Sequence, residues 1–122
     1  MDTEVYSDAK RRLSRIAGQV GGIFSGAHYA ASKAAVISLT RSLAKYLAPH
    51  NICVNAIAPS GVETEMLAQF PDDIRESLRA GIPLQRFGTP EEMAELVLFL
   101  SSPAADYITG QTIGINGGSY LG

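Results

Sequence analysis

The chain is short of several things that would decide its class. It holds a single cysteine, Cys53, among 122 residues. No disulfide within the chain is possible, and a thiol-tolerant, cytoplasmic setting is expected. Two histidines beside that cysteine are too few for a zinc site of the usual kind, so no metal centre is expected. Tryptophan is absent and aromatic residues make up 7%. Ten Lys and Arg stand against twelve Asp and Glu, a net charge of −2. That balance gives no basic surface for nucleic acid or an anionic membrane. No apolar run approaches the roughly 18 residues of a membrane span. What is present is 46% apolar residues and twelve glycines. This composition fits an α/β protein with backbone-close turns. The length fits one domain or part of one, and a compact chain this size buries roughly two-thirds of its unfolded surface.

Residues 1–15 differ from the rest. They carry seven charges: Asp2, Glu4, Asp8, Lys10, Arg11, Arg12 and Arg15. No apolar stretch follows to make a signal peptide. Arg11-Arg12-Leu13-Ser14 reads as a basic kinase site or localisation patch, or more plainly as a solvated tail. A boundary is placed here, with the globular domain over 16–122.

Along that domain, the spacing of Ala31, Ala34, Ala35, Leu39, Leu43 and Leu47 predicts a long helix over His28–Ala48, closed by Pro49. Ile52–Ile57 lacks alternation and predicts a strand buried on both faces. Pro59-Ser60-Gly61 predicts a turn. A helical stretch follows from Thr64 to Ala80, divided at Pro71 and capped by Gly81. Thr89-Pro90-Glu91-Glu92 is a helix start with Thr as N-cap and Glu three residues on. That helix, through Met93, Leu96, Val97, Phe99 and Leu100, is apolar nearly all round and expected to be well buried. Ser102-Pro103 ends it, and Thr112–Ile115 reads as a last strand. Two buried strands joined by a long helical crossover imply a parallel sheet, of which further strands are needed.

The glycine-rich stretch Gly18–Gly26 fits neither phosphate-loop template. Ala27-His28 follow it where a P-loop needs Lys and Ser or Thr, and G-x-G-x-x-G occurs nowhere in the chain. A loop flanking a site is the better reading. The chemistry lies just beyond it. Tyr29 and Lys33 stand at i and i+4, one above the other on a helix, about 6 Å apart. A free phenol, with a pKa near 10, is too weak an acid for proton transfer at neutral pH, and a neighbouring ammonium lowers it. Lys can also donate to ligand hydroxyls. The plain alternative is an amphipathic helix whose Lys runs past Tyr.

Other motifs follow in order: Tyr29-Ala30-Ala31-Ser32-Lys33, then Val54-Asn55-Ala56-Ile57-Ala58-Pro59, Val62-Glu63-Thr64-Glu65-Met66, Arg86-Phe87-Gly88-Thr89-Pro90-Glu91-Glu92, and Tyr107-Ile108-Thr109-Gly110-Gln111 leading to Ile115-Asn116-Gly117-Gly118. Taken together, over Ile16–Gly122, they resemble the C-terminal half of a short-chain dehydrogenase/reductase. The likeness is greatest to its 3-oxoacyl-carrier-protein reductase and sugar or alcohol dehydrogenase branches. The resemblance implies the later part of a Rossmann-type doubly wound parallel sheet and hydride transfer between NAD or NADP and a small carbonyl or alcohol substrate. It implies that Tyr29 is the general acid or base, and that Lys33 lowers its pKa and holds the nicotinamide ribose. Pro59, Gly61 and Val62 would lie along the nicotinamide, and Thr64 would reach toward the cofactor phosphates. Gly22 and its loop would wall the substrate pocket, with Met66, Leu67 and Phe70 in a lid over it. Asn55 would be structural.

The chain also departs from the pattern. T-G-x-x-x-G-x-G is missing. The places of the carbonyl-binding Ser, thirteen or fourteen residues before the Tyr, hold Ile16 and Arg15, and Ser14 is one step off, which in a strand is the opposite face. Glycine stands second after Pro59 where the family has it first. A truncated or alternatively started reading frame is the simplest expectation. The alternative function is a non-catalytic fragment or paralogue acting through homo- or hetero-association of apolar helices. Homo-oligomers are expected on either reading. Cys53 is expected to be buried filler. His28 either faces the pocket or sits at the helix start. Asp72, Asp73, Arg75, Glu76 and Arg79 are expected to pair at i,i+4 on a solvated face.

Overall fold

The computed structural model describes residues 27–121. The charged segment 1–15, the boundary after it and the Gly18–Gly26 loop with Gly22 lie outside the described residues. So does the charge-based expectation that residues before about Ser14 form no buried parallel strand.

Helix α1 spans Ala27–Leu47 and passes into a 3-10 turn, Ala48–His50. Asn51 ends that turn in the left-handed region at φ 57, which Asn tolerates better than most residues. Strand β1 is Ala56–Pro59 and β2 is Thr112–Ile115. They pair in parallel, Ala56 opposite Thr112 through Pro59 opposite Ile115. Between them lie α2 (Glu65–Ala68), α3 (Asp72–Ala80) and α4 (Pro90–Ser101), then a 3-10 turn at Pro103–Ala105.

The pleat of β1 sorts its side chains. Ile57 packs with Leu100 and Ala105 against Leu96, Val97, Ile108 and Ile113, while Ala56 and Ala58, pointing to the other face, are also fully buried. The pairing begins four residues later than Ile52–Ile57 predicts. Val54 and Asn55 are buried, but their polar groups go to the loop before β2. Val54 N–H donates to Thr109 Oγ1 at 3.0 Å and its carbonyl accepts from Gly110 at 2.7 Å. Asn55 bridges that loop, donating to Ile108 O and accepting from Gln111 N–H. Asn55 is the structural residue that the resemblance implies.

Two further expectations, for α4 and Cys53, are corrected, and the buried side of α1 is not the row of residues whose spacing predicts the helix. On α1 the buried stripe is Ile37, Thr40 and Ala44, whereas Ala31, Ala34, Ala35 and Leu39 are exposed. Helix α4 is buried along one side only: Leu100 is 1% exposed but Leu98 is 62% and Phe99 44%. Both helices are apolar on more than one side, and among the described residues one layer covers each. Cys53 is half-buried, its thiol donating toward Asp106 O at 3.4 Å. Gly81 does close α3, in ordinary right-handed geometry rather than the left-handed form glycine permits.

Candidate functional site

Tyr29 and Lys33 both lie on α1, which runs without a break through them, and Lys33 is half-buried. A helix through both positions is what their spacing requires.

The other predicted contacts form one continuous stretch at the exit of β1. Pro59 is the last strand residue and is half-buried. Gly61 follows at φ +59, a conformation strained for a side-chain-bearing residue, so the glycine in second place is where the turn needs it. Val62 forms an isolated parallel bridge with Gly88. Gly88 N–H donates to Gly61 O at 2.8 Å, and Glu63 N–H donates to Gly88 O at 2.8 Å. These bonds use the groups flanking Val62. Among the described residues, Val62's own N–H and C=O make no hydrogen bond. Thr64 caps α2, its hydroxyl accepting from Leu67 N–H at 3.2 Å. Met66 is 69% exposed and Phe70 44%, while Leu67 is buried with Ile82 and Phe87.

The segment 82–88 holds this stretch in place, and the sequence carries no signal for that role. Besides the two bonds to Gly61 and Glu63, Leu84 N–H donates to Gly117 O at 3.1 Å. Arg86 pairs with Glu92 at 2.7 Å, and Glu92 also accepts from Thr89 N–H at 2.8 Å. The Arg86 guanidinium first, and the Thr89 N–H second, hold the Glu92 carboxyl down at about 2. Arg75 reaches back to Glu63 at 3.2 Å. Within α3 the pair is Arg79 with Glu76, at i,i+3 rather than i,i+4. That contact lowers Glu76 below its usual range and raises Arg79.

Behind the segment is a cleft of about 420 Å³ lined by Ser60, Leu84, Gly88, Met93, Ile115 and Gly117 among others. Of the described candidates, Lys33, Gly61, Val62, Thr64 and Met66 do not line it. Among the described residues there is no group of three or more His, Cys, Asp or Glu placed to hold a metal ion, and no helix is long and apolar enough to cross a membrane.

Comparison with known proteins covers nearly the whole chain. A family described as Enoyl-(Acyl carrier protein) reductase matches residues 12–120. The 3-oxoacyl-[acyl-carrier-protein] reductase FabG of Aquifex aeolicus is 46% identical over 108 residues, covering 88% of this chain and 43% of that protein. Protein FixR of Bradyrhizobium diazoefficiens is 50% identical over 109 residues, 89% of this chain and 38% of that protein. A crystal structure from Brucella melitensis described as a short-chain dehydrogenase/reductase, glucose/ribitol dehydrogenase, superposes with a TM-score of 0.81 at 38% identity, covering 92% of this chain and 45% of that one. The chain thus spans less than half the length of each of these relatives.

Proposed function

Since the chain belongs to the short-chain dehydrogenase/reductase family, an oxidoreductase family with a Rossmann-type fold, we propose that it carries the proton-transfer and nicotinamide-side residues of an NAD(P)-dependent carbonyl reductase or alcohol dehydrogenase. The observation that carries this reading is the β1 exit. Val62 presents one N–H and one C=O without partners among the described residues, and a carboxamide needs one acceptor and one donor. Gly61 and the bonds to Gly88 hold that backbone in place.

The nicotinamide, when bound, supplies or takes up hydride at the substrate carbon. The chain's residues handle the proton. Tyr29 gives its phenol proton to the carbonyl oxygen, or removes it from the alcohol in the reverse direction. Lys33, one turn on, stabilises the phenolate and donates to the ribose hydroxyls. Pro59 and Val62 would hold the nicotinamide ring, and Thr64 would meet the phosphates. Met66, and by the resemblance Gly22, would contact a small carbonyl or alcohol substrate. The setting is cytoplasmic, without nucleic acid or membrane partners.

The 122 residues contain no glycine fingerprint for the pyrophosphate. On this reading the chain by itself neither binds NADH or NADPH tightly nor turns over ketones, because lost proximity forfeits on the order of 7 kcal/mol. The test is a hybrid that joins this chain to the part of the Aquifex aeolicus relative preceding the similar region. NADPH-dependent ketone reduction should appear there and fall on the order of 10²-fold or more in Tyr29→Phe. Arg15→Ser should raise the hybrid's rate and rescue nothing in the chain alone, since a carbonyl donor is worth about 2.7–4 kcal/mol only where hydride is at hand. Turnover undiminished by Tyr29→Phe would overturn the assignment. Micromolar NADPH binding by the chain alone in isothermal titration would overturn the expectation of weak cofactor binding.

A second reading has its own observation. Leu39, Tyr46, Leu98 and Phe99 are 54%, 76%, 62% and 44% exposed. Such apolar surface favours association, either as a homo-oligomer or with a full-length relative, without chemistry. Sedimentation that shows a monomer at micromolar concentration would remove it.

A further inference from the structure

The geometry points to Ile82 as the positioning residue of the nicotinamide-side backbone: wedged between Gly61 and Gly117, it transmits the position of the β2 exit to Gly61–Val62. Only the link to nicotinamide rests on the function proposed above; the packing stands without it.

Ile82 is 5% exposed and packs with Leu67 and Phe87. Its two branches meet the turns that follow different strands. A Cβ built on Gly61 would lie 2.8 Å from Ile82 Cδ1, and one built on Gly117 would lie 2.7 Å from Ile82 Cγ2. Both distances are below normal van der Waals contact, so neither glycine can gain a methyl group without moving Ile82. Both glycines sit at φ +59. β1 and β2 are neighbours, and each leaves the sheet through one of these left-handed turns. The side chain therefore fills the gap between two turns with no slack on either side, and packed interiors pass such displacements on.

The backbone bonds frame the same wedge. Leu84 N–H to Gly117 O ties segment 82–88 to the β2 exit. Gly88 N–H to Gly61 O and Glu63 N–H to Gly88 O tie it to the β1 exit. Val62 lies between the last two bonds, with its own polar groups turned the other way. Whatever shifts Ile82 shifts the backbone that presents them.

The two branches allow the transmission to be cut at one end. Ile82→Val removes Cδ1, on the Gly61 side, and keeps a γ-methyl facing Gly117. The experiment is amide NMR of the full chain as wild type, Gly117→Ala, Ile82→Val and the double variant. Gly117→Ala should shift the Gly61, Val62 and Gly88 amides, although it lies in the other strand's turn. In the Ile82→Val background that shift at Gly61 and Val62 should shrink about threefold or more, while the shifts at Leu84 and Gly118 persist. A merely local packing role predicts no such loss. If Gly117→Ala proves unfolded, Ile82→Val alone decides. The Gly88 and Glu63 amides should then exchange with solvent roughly 2- to 10-fold faster, and Leu84 N–H should not change. Gly61 shifts that are absent, or undiminished by Ile82→Val, overturn the wedge. Titration of millimolar NADPH into the same samples separates the two claims. Val62 shifts that weaken in Ile82→Val support positioning. No NADPH effect at Val62 in the hybrid described above overturns the nicotinamide assignment while leaving the wedge standing.

Discussion

Helices α3 and α4 lie in the same crossover between β1 and β2, and both carry a strong amphipathic or apolar pattern. Helix α4 starts at a complete capping box, Thr89 accepting from Glu92 N–H while Glu92 accepts from Thr89 N–H. It ends against the sheet through Leu100, with Leu96 and Val97 beside it. Helix α3 starts at Pro71 with no side-chain cap and contains no buried residue. Its apolar residues Ile74 and Leu78 are 44% and 47% exposed. Nine residues are too few to hold a helix alone in water. What keeps α3 in place are its ends: Leu67 before it, Ile82 after it, Arg75 to Glu63, and Arg79 to Gln85 O at 2.8 Å. The contrast teaches that an apolar helical face is not by itself an anchor. Helix α4 belongs to the scaffold. Helix α3 is tied at its edges to the chain after β1 through Arg75 and Glu63 and buries nothing of its own, which leaves it the less stable of the two.

The largest test of the contrast is truncation of one apolar residue in each helix. Leu100→Ala should lower unfolding free energy by about 3 kcal/mol, from lost burial and a cavity that the sheet cannot close. Leu78→Ala should stay within about 0.5 kcal/mol. Urea denaturation measures both, and equal losses would break the distinction. Next come the helix starts. Thr89→Ala should cost about 1 kcal/mol because it leaves the Glu92 amide without its cap. Pro71→Ala, at a position that makes no cap bond, should cost less than half of that.

A smaller effect separates the helices by pH. Glu92 has its folded-state value held to about 2 against an ordinary 4.5. Its contribution is therefore fully present above pH 4.5 and is lost as pH falls from there toward 2. Glu92→Gln keeps a residue able to complete the capping box but removes the charge. The melting temperature of that variant should fall less steeply below pH 4.5 than that of the native chain. Glu76→Gln on α3 should change the slope less, since the contact it removes lies within a helix that buries nothing. The smallest effect is dynamic. Amides in the middle of α3 should exchange through local opening, at rates insensitive to Leu100→Ala, whereas α4 amides should accelerate with the loss of global stability.

Much of this arrangement was legible beforehand, for local reasons. Pro49, Pro71 and Pro103 interrupt or close helices wherever they stand, because the ring removes a donor and clashes with the preceding turn. Thr89 and Glu92 satisfy each other's orphan amides three residues apart, so the start of α4 could be read from four letters. Thr112–Ile115 was legible as a strand from its branched residues and the glycines after it. Tyr29 and Lys33 needed only a continuous helix to stand one turn apart, and α1 supplies it. The family motifs named Pro59, Gly61, Val62 and Thr64 as candidates, and the fold sets these four in one stretch at the β1 exit.

The tertiary structure decided which apolar faces are covered and which backbone groups are left to act. Nothing local distinguishes Ile37, buried, from Leu39, exposed two residues away, or Leu100 from Phe99. Burial depends on what lies opposite, and that partner comes from distant sequence. The strand begins at Ala56 rather than Ile52 for the same reason: the β-ladder starts where a neighbouring strand accepts the chain's N–H groups, and Gln111 O accepts from Ala56 N–H. Ile82 shows it most plainly. Its place after α3 is written in the chain, but its wedge between Gly61 and Gly117 exists only once two strands, separated by more than fifty residues of sequence, leave the sheet side by side. Periodicity and capping act over one or two turns of chain, whereas contact between turns depends on how those pieces come together.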